Sequence, residues 1–322
     1  MKYKNKGTKV RFSIAILMTL AIVINYLDRT VMSAAAPTIS AELQISPEMM
    51  GWIMSAFFLS YALCQIPAGF IADKYGQRRT LAGSVLWWSL ATAATALAKT
   101  PLSFISTRIL MGMGEAGAYP CNSGIAAKWF PDRERGRITA LFDSGSKFGT
   151  AFAMPLVVWI IAKWGWEAAF IICGALGVIW VFAWLKVYHD PEQHPKISAE
   201  ELAYIREGQI KKEGIDNIQP MKWYQLIRYR NVQAMCIIWS LPGDVAPRNM
   251  TSVLGGMQSA VSNCGGILGP IVTGYIIAAT GSFIWALIVS GIACAIGALV
   301  YLIMLRDIKP IVPNEQNEEQ VH

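Results

Sequence analysis

Charged residues are scarce in this chain of 322 residues. Asp, Glu, Lys and Arg make up 15% of the sequence, whereas soluble globular proteins carry about 25%. Hydrophobic residues make up 54%, which is more apolar surface than a chain of this size hides in one water-facing core. The shortage of charge therefore excludes an ordinary soluble protein and predicts an integral membrane protein in contact with the lipid bilayer.

The sequence also lacks the residue patterns of metal centres and catalytic sites. Its three histidines lie in polar segments, so no zinc site is predicted. The six cysteines lie singly within apolar stretches, without the spacing of a metal knuckle or a redox pair, and we interpret them as buried free thiols. No nucleophile and base are arranged for catalysis. We therefore predict no enzyme activity, no metal and no cofactor.

Apolar segments of membrane-spanning length recur along the chain and predict an all-α membrane protein. About eight transmembrane helices are expected, at residues 12–36, 48–72, 80–98, 101–128, 138–162, 166–188, 250–279 and 282–305. The first segment mimics a secretory signal, but Asp28-Arg29 interrupts it and Pro37 would follow the cleavage site, so we predict a retained helix. A polar stretch near 198–212 has the pattern of a soluble amphipathic helix.

The spans divide the chain into four predicted parts. These are a six-helix transmembrane half, a cytoplasmic linker, the last two transmembrane helices and a cytoplasmic tail, at residues 1–188, 189–239, 240–305 and 306–322.

Lysine and arginine are concentrated on alternate sides of the predicted spans. The N-terminal arm and the loops 73–79 and 128–137 together contain twelve, whereas the alternate loops contain only Lys99 and Lys163. Because basic loops stay in the cytoplasm, both termini are predicted to be cytoplasmic. The net charge of +7 is thus a signal of topology, and no binding to nucleic acid is predicted.

Four charged residues fall inside predicted spans, where each costs about 2.5–3.5 kcal/mol on insertion scales. Asp28 and Arg29 lie in the first span, and Arg108 and Glu115 lie two helical turns apart in the fourth. Tyr119 continues the face of Glu115. We expect this face to line a polar cavity in which the acids and arginines hold a proton, a substrate anion or one another. The alternative is a static ion-pair cluster that locks the first helix to the fourth.

Other features of the spans favour local structural roles. Asp143 and Lys147 are spaced i,i+4 near one end of the fifth span and predict a local salt bridge. A stripe of small residues that includes Gly112 and Gly114 predicts close helix packing.

The segment after the second span resembles the signature loop of the major facilitator superfamily. It reads Gly69-Phe-Ile-Ala72-Asp73-Lys-Tyr-Gly76-Gln-Arg78-Arg79. Residues 129–137 resemble the matching loop between the fourth and fifth helices. The resemblance implies a helical bundle of the facilitator type and a secondary transporter. The loop glycines would permit a tight turn, and the aspartate and arginines would pair across helix ends and latch one closed state.

Finer features are similar to the anion:cation symporter branch, which includes proton-coupled carriers of sugar acids and other organic anions. The similar segments lie in the first helix, in the fourth helix, before the eleventh helix and within it, at residues 25–37, 108–122, 239–250 and 265–270. This resemblance covers essentially the whole chain. It implies a bacterial inner-membrane symporter whose partners are protons and a small carboxylate.

The same resemblance implies roles for the intramembrane charges. Asp28 and Glu115 would carry protons, and Arg29 would contact the substrate carboxylate. Arg108 would pair with the two acids and couple proton and substrate binding.

It also implies polar contacts to a polyol substrate from Tyr26, Tyr61 and Asn263. Buried aromatic packing is the alternative for Tyr61, and helix packing is the alternative for Asn263.

The chain departs from that family in its number of helices. The family has twelve in two halves, whereas helices seven to ten are not recognisable here, and the join falls near residues 231–239. Alternating access rocks one half against the other around a midplane site, so one wall of the cavity would be open. Two hypotheses follow: an internally truncated proton-coupled symporter of a sugar acid or related organic anion, or a transport-inactive protein or half-carrier that needs a partner chain.

Overall fold

The computed structural model describes residues 8–207 and 263–280, together with five positions between 285 and 292. Regular structure in this part of the chain is helical, which confirms the all-α prediction. The elements are α1 Val10–Leu43, α2 Pro47–Tyr75, α3 Gln77–Thr95, α4 Pro101–Glu115, α5 Ala118–Trp129, α6 Asp132–Val187, a 3₁₀ turn Pro191–Gln193, α7 Ala199–Glu207 and α8 Cys264–Thr280. The predicted junction at 231–239 lies outside the described residues, as does most of the last predicted span.

Helix α6 is too long to be one membrane span. Its 56 residues would measure about 84 Å at 1.5 Å per residue, whereas the hydrocarbon core of a bilayer is about 30 Å thick. The helix is interrupted at Gly165, whose φ of 86° and ψ of 167° are accessible to glycine and strained for other residues. The two segments, 132–164 and 166–187, correspond to the predicted fifth and sixth spans.

The predicted fourth span is divided where a single continuous helix was expected. Helix α4 ends at Glu115 and α5 begins at Ala118. Pro120 has no N–H to donate to the carbonyl of Ala116, so the helical hydrogen-bond ladder cannot continue through this point. The interruption places Glu115 at the C-terminal end of a helix.

Three of the described helices, α1, α2 and α6, are long and apolar enough to cross a membrane. Helix α1 packs mainly on α6, α2 packs on α4 and α8, and α3 packs on α4 and α6. The buried apolar residues form two clusters. Along α1 the buried members of one cluster end at Ile22 and those of the other begin at Leu27, while along α4 Phe104 and Met111 belong to different clusters. A layer of buried polar residues therefore separates two apolar regions.

Helix α7 is held against the start of α1 by a group of polar contacts, which we call the α1–α7 clasp. Its residues are Thr8, Arg11, Glu134, Ser198, Glu201 and Tyr204. Glu201 is buried, and its carboxylate accepts hydrogen bonds from the Thr8 hydroxyl at 2.6 Å and from the backbone N–H groups of Val10 and Arg11 at 3.2 Å each. Glu201 thus caps α1, whose own N-cap residue makes no side-chain capping bond.

The second acid of the clasp connects α7 to α6. Glu134 lies 3.4 Å from Nε of Arg11 and accepts a hydrogen bond of 2.6 Å from the Tyr204 hydroxyl. The guanidinium of Arg11 also lies 4.6 Å from the centre of the Tyr204 ring. The clasp therefore joins α1, α6 and α7 at one end of the bundle.

The substitution Glu201→Gln is expected to lower the stability of the protein. A carboxamide would turn an N–H₂ group toward the N–H donors of α1 and would remove the negative charge from the positive end of its dipole, at a cost of about 1–2 kcal/mol. Thermal unfolding in detergent, followed by circular dichroism, measures the change. Glu200→Gln, one residue away and exposed, is the matched control, and equal shifts for both variants would contradict the capping role.

Candidate functional site

The centre of the polar layer is an ion pair between α1 and α4. Nε of Arg29 lies 2.7 Å from Oε2 of Glu115, whose side chain is fully buried. The guanidinium also lies over three aromatic rings, 4.9 Å from the centres of Tyr26 and Phe57 and 4.5 Å from that of Tyr61. Ring faces attract cations most strongly where water is excluded. One carboxylate and three rings therefore hold the charge of Arg29 inside the protein.

The end of α4 makes this pair necessary. Glu115 is the last residue of α4, where the helix dipole presents its negative end and disfavours an anion. Arg29 supplies the compensating cation from α1. Oε1 of Glu115 and Nη2 of Arg29 are buried without a hydrogen-bond partner, so the pair leaves polar capacity on both side chains.

Asp28 is buried differently from Glu115. Its side chain is inaccessible, and neither carboxylate oxygen has a hydrogen-bond partner. Arg108 and Glu115 are charged neighbours that act on it electrostatically, yet the described residues include no ion pair of Asp28 within 4.0 Å. The two acids of the site thus have distinct surroundings, one paired with a cation and one unpaired.

Arg108 is buried at 2% exposure and lies beside the aromatic wall. Its guanidinium carbon is 6.0 Å from the centre of Phe57, the same ring that Arg29 approaches. Nε and Nη2 of Arg108 are buried without hydrogen-bond partners. Both arginines therefore face one ring, but only Arg29 forms an ion pair within the described part. The pairing of Arg108 with the acids stays a prediction.

The predicted salt bridge between Asp143 and Lys147 is wrong. Oδ1 of Asp143 lies 3.3 Å from the hydroxyl of Tyr119, which in turn lies 3.5 Å from that of Tyr26, and Lys147 is exposed. Asp143 contacts Tyr119 of α5, whereas the i,i+4 rule predicts contacts only between residues of the same helix. The polar layer therefore extends from α1 through α5 to α6.

Glycines bring these helices close enough for such contacts. A Cβ atom at Gly149 would lie 3.1 Å from Cβ of Tyr26, and one at Gly112 would overlap the backbone carbonyl of Phe57. The predicted close packing at Gly112 is confirmed.

Several buried amides belong to this layer and were missed as site residues. Asn25 and Gln65 are fully buried, and neither amide oxygen nor amide nitrogen has a hydrogen-bond partner. Asn122 uses its nitrogen on the Met18 carbonyl at 3.4 Å, and its oxygen is unpartnered. A helical spacing could have identified two of them, because Asn25 lies one turn before Arg29 and Gln65 one turn after Tyr61.

The signature loop forms a tight turn between α2 and α3, as predicted. Gly76 has φ of 86° and serves as C-cap of α2 and N-cap of α3, while Gly69 is buried within α2. Nη2 of Arg78 donates a hydrogen bond of 2.5 Å to the carbonyl of Leu185, and the indole of Trp184 donates one of 3.0 Å to the carbonyl of Arg78. The loop is thereby joined to the end of α6. The latch role of Asp73 and the arginines stays a prediction.

Asn263 is the last of the predicted substrate contacts. Asn263 directly precedes α8, and its backbone carbonyl accepts a hydrogen bond of 3.2 Å from the N–H of Ile267. Helix α8 packs on α2, the helix that carries Tyr61. A substrate role for Asn263 stays a prediction.

Within the described residues, no three His, Cys, Asp or Glu side chains are grouped so that they could hold a metal ion. The chemistry that the site offers is ion pairing, proton binding and hydrogen bonding.

One group of curated relatives matches about two thirds of this chain. The probable galactarate/D-glucarate transporter GarP of Escherichia coli strain K12 is 38% identical over 211 residues, which are 64% of this chain and 48% of the relative. The chain thus spans about half the length of such curated relatives.

A second relative aligns almost from end to end. The probable galactarate/D-glucarate transporter GudP of the same strain is 27% identical over 430 aligned residues, with 95% of this chain and 96% of the relative covered. Since this chain has only 322 residues, at least 108 aligned positions of the relative have no counterpart here.

Among solved structures, the fold is similar to an inward-facing, occupied bacterial homologue of the human lysosomal transporter Spinster. The TM-score is 0.58 at 18% identity, with 84% of this chain and 83% of that chain covered. The sequence profile of the Major Facilitator Superfamily matches residues 18–243, more than half of the chain. The protein is an integral membrane protein that belongs to the Major Facilitator Superfamily.

Proposed function

We propose that this chain derives from a proton-coupled symporter of sugar acids in the bacterial inner membrane, with both termini in the cytoplasm. The observation that carries the proposal is the ion pair of Arg29 and Glu115, buried in a polar layer under three aromatic rings. A buried cation whose partner is a protonatable acid can exchange that partner for a substrate carboxylate. The division of the chain at residues 188, 239 and 305 is part of this proposal.

Arg29 is the proposed binding group for the substrate carboxylate. A guanidinium binds a carboxylate through two parallel hydrogen bonds, and Nη2 of Arg29 is free for one of them. Tyr26 and Tyr61, which flank the guanidinium, would contact the hydroxyl groups of a polyol, with Asn263 as a further donor. The names of GarP and GudP favour galactarate and D-glucarate as the first substrates to test.

Glu115 and Asp28 are the proposed proton sites. Protonation of Glu115 from outside would remove its negative charge and release Arg29 for the substrate. An ionised Asp28 would be buried without a partner, which is costly, so the described conformation fits a protonated Asp28. Arg108, which acts electrostatically on both acids, would attract them again when their protons leave on the inside.

The substitution Glu115→Gln is expected to uncouple substrate movement from protons. Gln is isosteric but never carries a charge, so Arg29 would be permanently available to the substrate. Uptake driven by an imposed proton gradient into proteoliposomes should fall at least about tenfold, the factor that corresponds to about 1.4 kcal/mol, while counterflow exchange of labelled D-glucarate persists.

The matched control is Glu167→Gln, which removes an acid from an exposed ion pair with Lys99. Gradient-driven uptake by Glu115→Gln that equals the uptake by this control would contradict the proton role.

A second candidate function is favoured by the gap in the alignment with GudP. More than one hundred positions of that relative have no counterpart here, and we infer that helices seven to ten are absent. Two helices in place of a second half would leave the buried charges without a wall on one side, where lipid cannot satisfy polar groups. The chain would then be transport-inactive, or a half-carrier that acts with a partner chain.

Insertion of the unmatched GudP segment between residues 231 and 239 is expected to raise uptake at least about tenfold over the natural chain, because it completes the wall of the cavity. Both proteins are reconstituted at one chain per liposome on average, and labelled D-glucarate uptake is compared.

The same chimera with Glu115→Gln is the control. This variant also tests the proton site if the natural chain is inactive. Equal uptake by the natural chain and the chimera, well above that of protein-free liposomes, would contradict the inactive and half-carrier forms.

A further inference from the structure

An apolar groove opens on the face formed by α2, α3 and α4, away from the polar layer. It has a volume of about 460 Å³. Ile71 of α2, Trp87 of α3 and Met113 of α4 line it, and each of them is exposed. The signature loop, which ends at Arg79, forms one end of the groove. The groove is thus an elongated apolar surface that ends at a cation.

The walls of the groove offer little to a polar ligand. The indole N–H of Trp87 donates to the carbonyl of Leu110 at 2.8 Å, and the hydroxyl of Thr80 donates to the carbonyl of Gly76 at 2.9 Å. These polar groups are therefore satisfied within the protein. Hydrocarbon is the chemistry that such a lining fits.

The charge at the end of the groove is positive. Arg79 is exposed, and the described part of the chain gives it no ion pair and no hydrogen bond. Lys74 lies nearby, 5.2 Å above the ring of Tyr75, which is a further lining residue. Asp73 is the acid nearest in sequence, but it does not line the groove. The end of the groove is complementary to an anion.

A phospholipid fits both features of the groove, because its acyl chain matches the apolar lining and its phosphate matches the unpaired cation. The signature loop is on the proposed cytoplasmic side, where anionic lipids give the membrane surface a negative potential. Tyr75, the last residue of α2, is an aromatic side chain of the type that gathers at the membrane interface. Basic pockets between transmembrane helices on this side bind anionic headgroups.

We propose that this groove is a binding site for an anionic glycerophospholipid, with one acyl chain along Ile71, Trp87 and Met113 and the phosphate at Arg79. The site is separate from the ion pair of Arg29 and Glu115, and its occupation does not depend on transport activity.

Competition between two lipids tests the proposal on the full-length chain. The protein in neutral detergent is mixed with equal amounts of phosphatidylglycerol and phosphatidylcholine of identical acyl chains, and bound lipids are counted by native mass spectrometry. One arginine near a membrane surface contributes about 1 kcal/mol, so phosphatidylglycerol should be preferred about fivefold. In the Arg79→Gln variant the two lipids should bind equally.

Two further variants separate the groove from general surface charge. Gly83 lines the groove, and a Cβ atom there would meet nothing within 4 Å. The side chain of Gly83→Leu therefore starts in open space within the groove, and it should lower the occupancy of the first bound lipid of either kind at least about fivefold. Arg137→Gln removes an exposed cation near the start of α6, on the same proposed side, and should leave the preference unchanged. Size-exclusion chromatography verifies that each variant is folded.

The proposal is overturned if Arg79→Gln retains the preference of the natural chain, or if Arg137→Gln loses as much of it. Unchanged lipid occupancy in a folded Gly83→Leu variant would equally exclude the groove as the acyl-chain site. Equal binding of the two lipids by the natural chain would show that Arg79 selects no headgroup.

Discussion

The buried pair of Arg29 and Glu115 is the interaction on which the rest of the structure depends. An unpaired charge at this depth would destabilise the bundle. Helices α1 and α4 must therefore lie close enough for Nε of Arg29 to reach Oε2 of Glu115, at 2.7 Å. Phe57 and Tyr61 bring α2 to the same guanidinium. The pair therefore sets the arrangement of three helices, and the apolar clusters fill the space on either side of it.

The arrangement also explains why a local break in α4 is tolerated. Pro120 interrupts the hydrogen-bond ladder immediately after Glu115, which frees the side chain from the regular path of a continuous helix. A carboxylate at the negative end of a helix is held mainly by its cation. A change in the partner of Arg29 would therefore act where the backbone is already discontinuous.

The grouping of the buried charges could be predicted from sequence, because a charge inside an apolar span is costly unless it faces the protein interior. That logic identified Arg29, Glu115, Asp28 and Arg108 together. It failed for Asp143, since a spacing rule within one helix ignores the hydroxyl of Tyr119 on another. The break at Glu115 was missed because membrane helices usually tolerate proline. The contact of Glu201 with α1 joins residues about 190 positions apart, and no local pattern reveals such a separation.

The clasp has a consequence for how the chain is assembled. Its contacts lie within residues 8–207 and anchor α7 to the start of α1. A segment joined after residue 207 therefore follows a helix that is fixed to α1 and α6, whatever that segment is. Within the described residues, sequences can be exchanged beyond residue 207 without removing a contact of the clasp.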